Sequence, residues 1–199
     1  AYSKLCLDER RNARNQTSYY LNSCESEKLF YNLRLDPKKT ALACYLTELL
    51  MYVGTESSDN LDIMRLTLNT LHFLNNGQRD MELLKSIFEF RLLCEAGFRP
   101  DLLCCAGCMA YEADTMYLDL VSGKILCENC CKDPDDINTI PLDRTMLYII
   151  RFIALTEYER LFAFKISENY QKKLTHFTES CVGYHLKRKF TSLDFYKML

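Results

Sequence analysis

The sequence predicts a mainly α fold: a helical bundle that carries an inserted four-cysteine zinc-ribbon hairpin and is preceded by β-strands. Three observations point there. Apolar residues recur at helical spacing through most of the chain beyond Asp36. Two Cys-x-x-Cys pairs, Cys105-Ala-Gly-Cys108 and Cys127-Glu-Asn-Cys130, enclose 18 residues. Period-two alternation is confined to the front of the chain and to the stretch between those pairs. The 199 residues suffice for one sizeable or two small domains.

Residues 1–33 read as strands. Tyr2-Ser-Lys-Leu-Cys-Leu7 alternates, a polar stretch from Asp8 to Ser18 holds the turn, and Tyr19-Tyr-Leu-Asn-Ser-Cys24 resumes. Two strands bury no core of their own, so they must pack on the helices or on strands outside this chain. Asp36-Pro37 opens the first helix, with Asp as N-cap and Pro at the first helical position. Residues 41–50 are apolar on most faces, so this helix is expected to be buried. Ser57-Ser58-Asp59 caps a second helix with Leu61, Met64, Leu68, Leu71 and Leu74 on one face, and Asn75-Asn76-Gly77 ends it. A third helix over 79–96 is closed by Gly97, with Pro100 beyond. After the hairpin comes an acidic connector, Asp133-Pro-Asp-Asp136. Pro141 then opens a helix through 155, helices over 157–166 and 168–186 follow, and Thr191-Ser192 caps a last one over 193–199.

The cysteines fix the cofactor. Eleven is an odd number, so a fully paired disulfide framework is impossible, and a reducing, cytoplasmic setting is expected. Cys44 and Cys94 lie in apolar helical patterns and are expected as plain core residues. Two knuckles at this spacing bring four thiolates onto one tetrahedral zinc ion, with Zn–S bonds of about 2.3 Å. Between them Tyr117-Leu-Asp-Leu-Val alternates, Ser122-Gly123 turns, and Lys124-Ile-Leu126 returns the chain to the metal. Cys104 and Cys131 abut the pairs as competing ligands in an alternative register. Cys105, Cys108, Cys127 and Cys130 are preferred because both knuckles then have two-residue spacers. Four thiolates leave no position for water, so the single zinc is expected to be structural.

Charge excludes several classes of function. The formal net charge of −2 rules out a uniformly basic nucleic-acid binder. It conceals segregation, however. Lys and Arg number 6 against 4 Asp and Glu in residues 1–35, 9 against 17 in 36–142, and 10 against 6 in 143–199. The basic residues of the last segment cluster at Lys172-Lys173 and Lys187-Arg188-Lys189, which reads as a local anion site or as a solvated helix face. No apolar run approaches the roughly 18 residues that span a bilayer, so no membrane partner is expected. No phosphate-cradling loop, HExxH or GxSxG motif is present. His72, His176 and His185 stand far apart, and no enzyme is expected. The first residue is Ala1 and no signal-peptide pattern follows, as expected of a fragment or processed form not marked for export.

The segment Phe88-Glu-Phe-Arg-Leu-Leu-Cys-Glu-Ala-Gly-Phe-Arg-Pro-Asp-Leu-Leu103 leads into the first Cys pair. Upstream stands Tyr20-Leu-Asn-Ser-Cys-Glu-Ser-Glu-Lys-Leu-Phe-Tyr-Asn-Leu-Arg34, and downstream His185-Leu-Lys-Arg-Lys-Phe-Thr-Ser-Leu-Asp-Phe195. In this order they resemble the bacterial RecO family of recombination mediators, over nearly the whole chain. The resemblance implies an N-terminal OB-fold, of which residues 1–33 look like the last strands. Residues 34–199 would then be a helical domain with its zinc hairpin at 104–131. It also implies a non-enzymatic DNA-repair adaptor that anneals single-stranded DNA. With RecR, such an adaptor helps load RecA onto DNA coated by single-strand-binding protein, and it binds that protein's acidic C-terminal tail. The implied location is the bacterial cytoplasm, at the nucleoid. On that reading Lys172, Lys173, Lys187, Arg188 and Lys189 are candidate DNA contacts. Arg91 and Arg99, flanking Leu92 and Phe98, are candidate anchors for the tail. The alternative is a protein-only interaction module that docks repair partners without touching DNA.

Overall fold

Asp36 starts the helical body as its place before Pro37 requires. Its carboxylate accepts from the Lys38 and Lys39 amides at 2.9 and 3.3 Å, and α1 runs Pro37–Val53. The computed structural model describes residues 2–11, 16–54 and 61–199. Helix α2 (Leu61–Asn76) ends where Gly77 takes a φ of 63°, and α3 (Met81–Leu93) begins with Asp80 accepting from the Leu83 amide. The Ser57-Ser58-Asp59 cap lies outside the described residues. Every side chain from Leu83 to Leu93 is buried, which makes α3 the axis of the bundle. Around it stand α1, α2, α4 (Arg144–Leu155) and α5 (Glu168–Leu186), and α6 (Thr191–Met198) lies along α1. Phe90 of α3 meets Phe177 of α5 edge to face, ring centroids 5.2 Å apart.

Two small sheets complete the chain. Strands β1 (Tyr2–Arg11) and β2 (Thr17–Lys28) form an antiparallel hairpin that is exposed on both faces. Strands β3 (Thr115–Asp119), β4 (Lys124–Cys127) and β5 (Thr139–Asp143) form a sheet in the order β4-β3-β5, all antiparallel. Met116, Leu118, Ile125 and Leu142 bury its inner face in the same core as the helices. The mainly α class with an inserted ribbon is therefore as the sequence predicts. Among the described residues no helix is long and apolar enough to cross a membrane.

The centre of the bundle is polar. Lys85 and Glu89 of α3, Tyr45 of α1 and Thr178 of α5 are each fully buried. Lys85 Nζ donates to Glu89 Oε2 at 3.2 Å and to Glu179 Oε1 at 2.7 Å. Tyr45 Oη and Thr178 Oγ1 donate to the two Glu89 oxygens at 2.6 Å each. Lys197 of α6 closes the network on the second oxygen of Glu179 at 2.6 Å. Four helices are thus keyed to one another by a set of bonds in which no buried side-chain polar atom of the described residues lacks a partner.

Several expected elements differ. Pro141 opens no helix; it sits in β5, opposite Tyr117, on an edge strand where its missing N–H costs nothing. The helix starts at Arg144 instead, because Asp143 accepts from the Met146 amide at 2.8 Å. Residues 157–166 are turns and irregular chain rather than helix. The reason lies on α3. The buried Arg91 guanidinium donates to the carbonyls of Ile153, Ala154 and Thr156, the acceptors a continuing helix would use, and so terminates α4. Thr191 and Ser192 are the first two residues of α6 rather than its cap. The Ser192 hydroxyl donates to Glu48 of α1.

Helix α1 buries one face only, through Ala41, Leu42, Tyr45, Leu46 and Leu49. Cys44 is exposed, not core, since it lies on the opposite side, while Cys94 is half-buried. Helix α2 turns Leu66, Thr70 and Leu74 inward. Of its expected apolar face, Leu61 and Met64 are exposed and Leu68 and Leu71 half-buried.

Candidate metal centre and basic face

The four sulfurs of Cys105, Cys108, Cys127 and Cys130 lie within 4.8 Å of one another. Two tight turns put them there. Cys105 and Cys108 flank a turn before β3, in which the Met109 amide donates back to Cys105 O at 2.9 Å. Cys127 ends β4, and the Cys130 amide donates to its carbonyl at 2.9 Å. The β3–β4 hairpin, turning at Gly123 with φ 65°, carries the second pair back over the first. Gly107 is required by crowding: a Cβ there would meet the Cβ and Sγ of Cys130 at 2.9 Å.

The set fits a tetrahedral metal ion. Cys108 and Cys127 Sγ are 3.6 Å apart, against about 3.8 Å for the edge of a tetrahedron with metal–sulfur bonds near 2.3 Å. Burial opposes ionisation of Cys105, but amides of Cys127, Cys108 and Gly107 donate to its sulfur and bring its pKa down to about 6. Hydrogen bonds shared with the Cys127, Cys108 and Cys105 sulfurs push Cys130 up to about 12. Only with all four ionised together would the group need a cation to balance its charge, and four such sulfurs could hold one. Cys104 stands outside the group, with its sulfur toward Met109 Sδ at 3.7 Å.

An arginine that the sequence reading passed over ties this centre to the bundle. Arg151 of α4 donates to Leu102 O at 2.7 Å, Leu103 O at 3.0 Å and Tyr111 O at 2.8 Å, and its guanidinium lies 4.1 Å from the Tyr111 ring centroid. These carbonyls bracket the first knuckle. A lone Arg inside the apolar run Leu147-Tyr-Ile-Ile-Arg-Phe-Ile was the available signal. Arg151→Met is expected to speed transfer of the metal to a chelator by about tenfold, as loss of outer support does elsewhere. Absorbance of a chromogenic chelator follows it directly.

The candidate DNA contacts fall into two separate groups. Lys172 pairs with Glu168 at 2.8 Å, and Lys173 with Asp143 at 2.6 Å while lying over the Tyr170 ring. Lys187, Arg188 and Lys189 follow the far end of α5, roughly 20 Å away at 1.5 Å rise per residue. Arg188 is held by Glu48 at 3.5 Å and by the rings of Tyr52 and Phe190. Lys187, at φ 48°, closes the helix. It and Lys189 are exposed and form no ion pair among the described residues. Cations at a helix C-terminus also complement its dipole.

Arg91 and Arg99 are not brought together. Arg91 is 9% exposed, and Glu95, three α4-end carbonyls and the Tyr158 ring absorb its guanidinium. It therefore serves the fold. Arg99 is exposed at a different cleft, beside Phe98.

By class, then, this is a helical domain with an inset group of four cysteines that could hold a metal ion, and a basic helix end. Residues 34–194 match the family model described as "Recombination protein O C terminal", and the chain belongs to the RecO family. Relatives named DNA repair protein RecO include one from Acetivibrio thermocellus, 26% identical over 195 residues, covering 98% of this chain and 77% of the relative. One from Alkaliphilus metalliredigens is 25% identical over 187 residues, covering 94% and 75%. Another, from Dehalococcoides mccartyi, is 28% identical over 175 residues, covering 85% and 66%.

Proposed function

We propose that this chain acts in DNA repair as a non-enzymatic mediator that binds and anneals single-stranded DNA, its ribbon held by one structural zinc ion. Membership of the RecO family over residues 34–194 carries the reading. Zinc suits the donor set, because four thiolates at tetrahedral spacing select a borderline-soft ion with no geometric demand of its own. Lys187 and Lys189, exposed and without an ion pair among the described residues, supply cations for phosphate. On this family reading the partners are RecR, the acidic tail of single-strand-binding protein and, indirectly, RecA. The protein works in the bacterial cytoplasm at the nucleoid, and residues 1–33 are the last strands of an OB-fold.

The test is annealing of complementary oligonucleotides by the zinc-loaded chain. It is expected to outpace spontaneous annealing, and Lys187→Ala/Lys189→Ala is expected to slow it several-fold. Annealing no faster than the spontaneous rate contradicts the reading. One observation favours a second reading, a partner-docking module. An apolar groove of about 720 Å³ runs beside α1 and α2, lined by Leu50, Met51, Met64, Leu68 and Leu71.

A further inference from the structure

Helix α3 does not end on a plain cap. It widens into a π turn over Cys94–Phe98, and Gly97, at φ 92°, redirects the chain. Turns of this kind interrupt the regular ladder and recur at functional sites. Here the result is an aromatic side chain, Phe98, left 41% exposed. Its ring stacks on the imidazole of His185 from α5, with centroids 4.9 Å apart and planes at 29°. Burial lowers the His185 pKa and so favours the uncharged imidazole.

Both rings line a half-open cleft of about 350 Å³ between the ends of α3 and α5 and the β3–β4 turn. Arg99 and Lys124 line it too. Both are exposed, and neither forms an ion pair among the described residues. Asp101 is the one carboxylate on the wall, and its Oδ1 accepts from the Leu103 amide. Lys187 and Lys189 follow His185 by two and four residues, exposed and likewise without ion pairs.

We propose that this cleft is a subsite for single-stranded nucleic acid. One base stacks on the Phe98–His185 pair, and its neighbouring phosphates lie against Arg99, Lys124, Lys187 and Lys189. The proposal rests on the DNA-binding reading above and deepens it by placing a base. An anion of any kind would use the four cations. A stacked pair of rings with Phe98 exposed, lining the same cleft as Arg99 and Lys124, is what a base requires, since every base offers a π face and stacking tolerates any sequence.

The test uses the zinc-loaded full chain, with oligo(dT) and the same strand made abasic at internal positions, read by fluorescence anisotropy across a salt series. Phe98→Leu keeps an apolar cover over the cleft and removes the stacking face. It is expected to weaken oligo(dT) binding by about tenfold, leaving the salt slope and the affinity for the abasic strand unchanged. Arg99→Ala/Lys124→Ala is expected to flatten the log–log slope by about 1.4, from roughly 0.7 per phosphate. Thermal melts confirm that each variant folds. If wild type binds oligo(dT) and both variants match it, the subsite is wrong and the DNA reading stands. Should wild type fail to bind at low salt, the reading falls and the subsite with it. Loss of binding to an acidic, carboxylate-terminated peptide in Phe98→Leu, with oligo(dT) binding intact, assigns the cleft to a peptide and overturns the proposal.

Discussion

Cys105→Ser is expected to release the metal and unfold the ribbon while the helices persist. Cys105 is fully buried, and its sulfur accepts the Gly107 and Cys127 amides at 3.4 and 3.3 Å. The ribbon's own apolar contribution is small, chiefly Met116, Leu118, Ile125 and Leu142. A structural zinc ion contributes on the order of 10 kcal/mol of binding energy that is also folding energy. Its loss therefore exceeds what a three-stranded sheet can offset. Elemental analysis should find one zinc per wild-type chain and none in the variant. Hydrogen exchange should show β3 and β4 unprotected, with α3 and α5 still protected. A ribbon that stays protected without metal would contradict this account. Acid acts in the same direction, since every ligand must be a thiolate to bind.

Lys85→Ala is expected to cost about 3–5 kcal/mol of global stability, the usual penalty for stranding one member of a buried ion pair. Glu89 would keep its bonds from Tyr45 and Thr178 but lose the one cation that pairs with it among the described residues, in a fully buried site. Urea unfolding measures the loss. Lys85→Met/Glu89→Gln is expected to recover more than half of it, because the amide oxygen still accepts from Tyr45 or Thr178 and no charge is left buried. If the double variant is no better than Lys85→Ala, the charge left on Glu89 is not what the substitution costs, and the account of the network is wrong.

The same network carries a pH dependence. Burial acts to raise the Glu179 pKa, but Lys197 and Lys85 hold it below the ordinary value of 4.5. Its contribution is therefore complete above pH 4.5 and is lost as pH falls through the depressed value.

What could be read from the sequence was set by local chemistry. The Asp36 cap, the turns at Gly77 and Gly97 and the two Cys pairs each depend on a few adjacent residues. What could not be read depends on distant partners. Lys85 and Glu89, four apart on a helix, look like a surface pair until α1 and α5 enclose them. Arg91 reads as an exposed anchor until the end of α4 takes up its donors. Pro141 looks like a helix start until β3 claims it as an edge strand. The inward stripe of α2, Leu66-Thr70-Leu74, lost to a longer leucine pattern because its middle residue is polar; Thr70 satisfies its hydroxyl on Leu66 O at 2.8 Å and so can be buried.

The central claim is that this domain itself contacts single-stranded DNA through its basic end. The most direct measurement is fluorescence anisotropy of a labelled single strand with the zinc-loaded chain over a salt series. Binding at micromolar concentration or tighter is expected. Lys187→Ala/Lys189→Ala should flatten the log–log slope by about 1.4, from roughly 0.7 per phosphate. No binding at low salt with the zinc in place would contradict the claim and leave the chain a partner-docking domain.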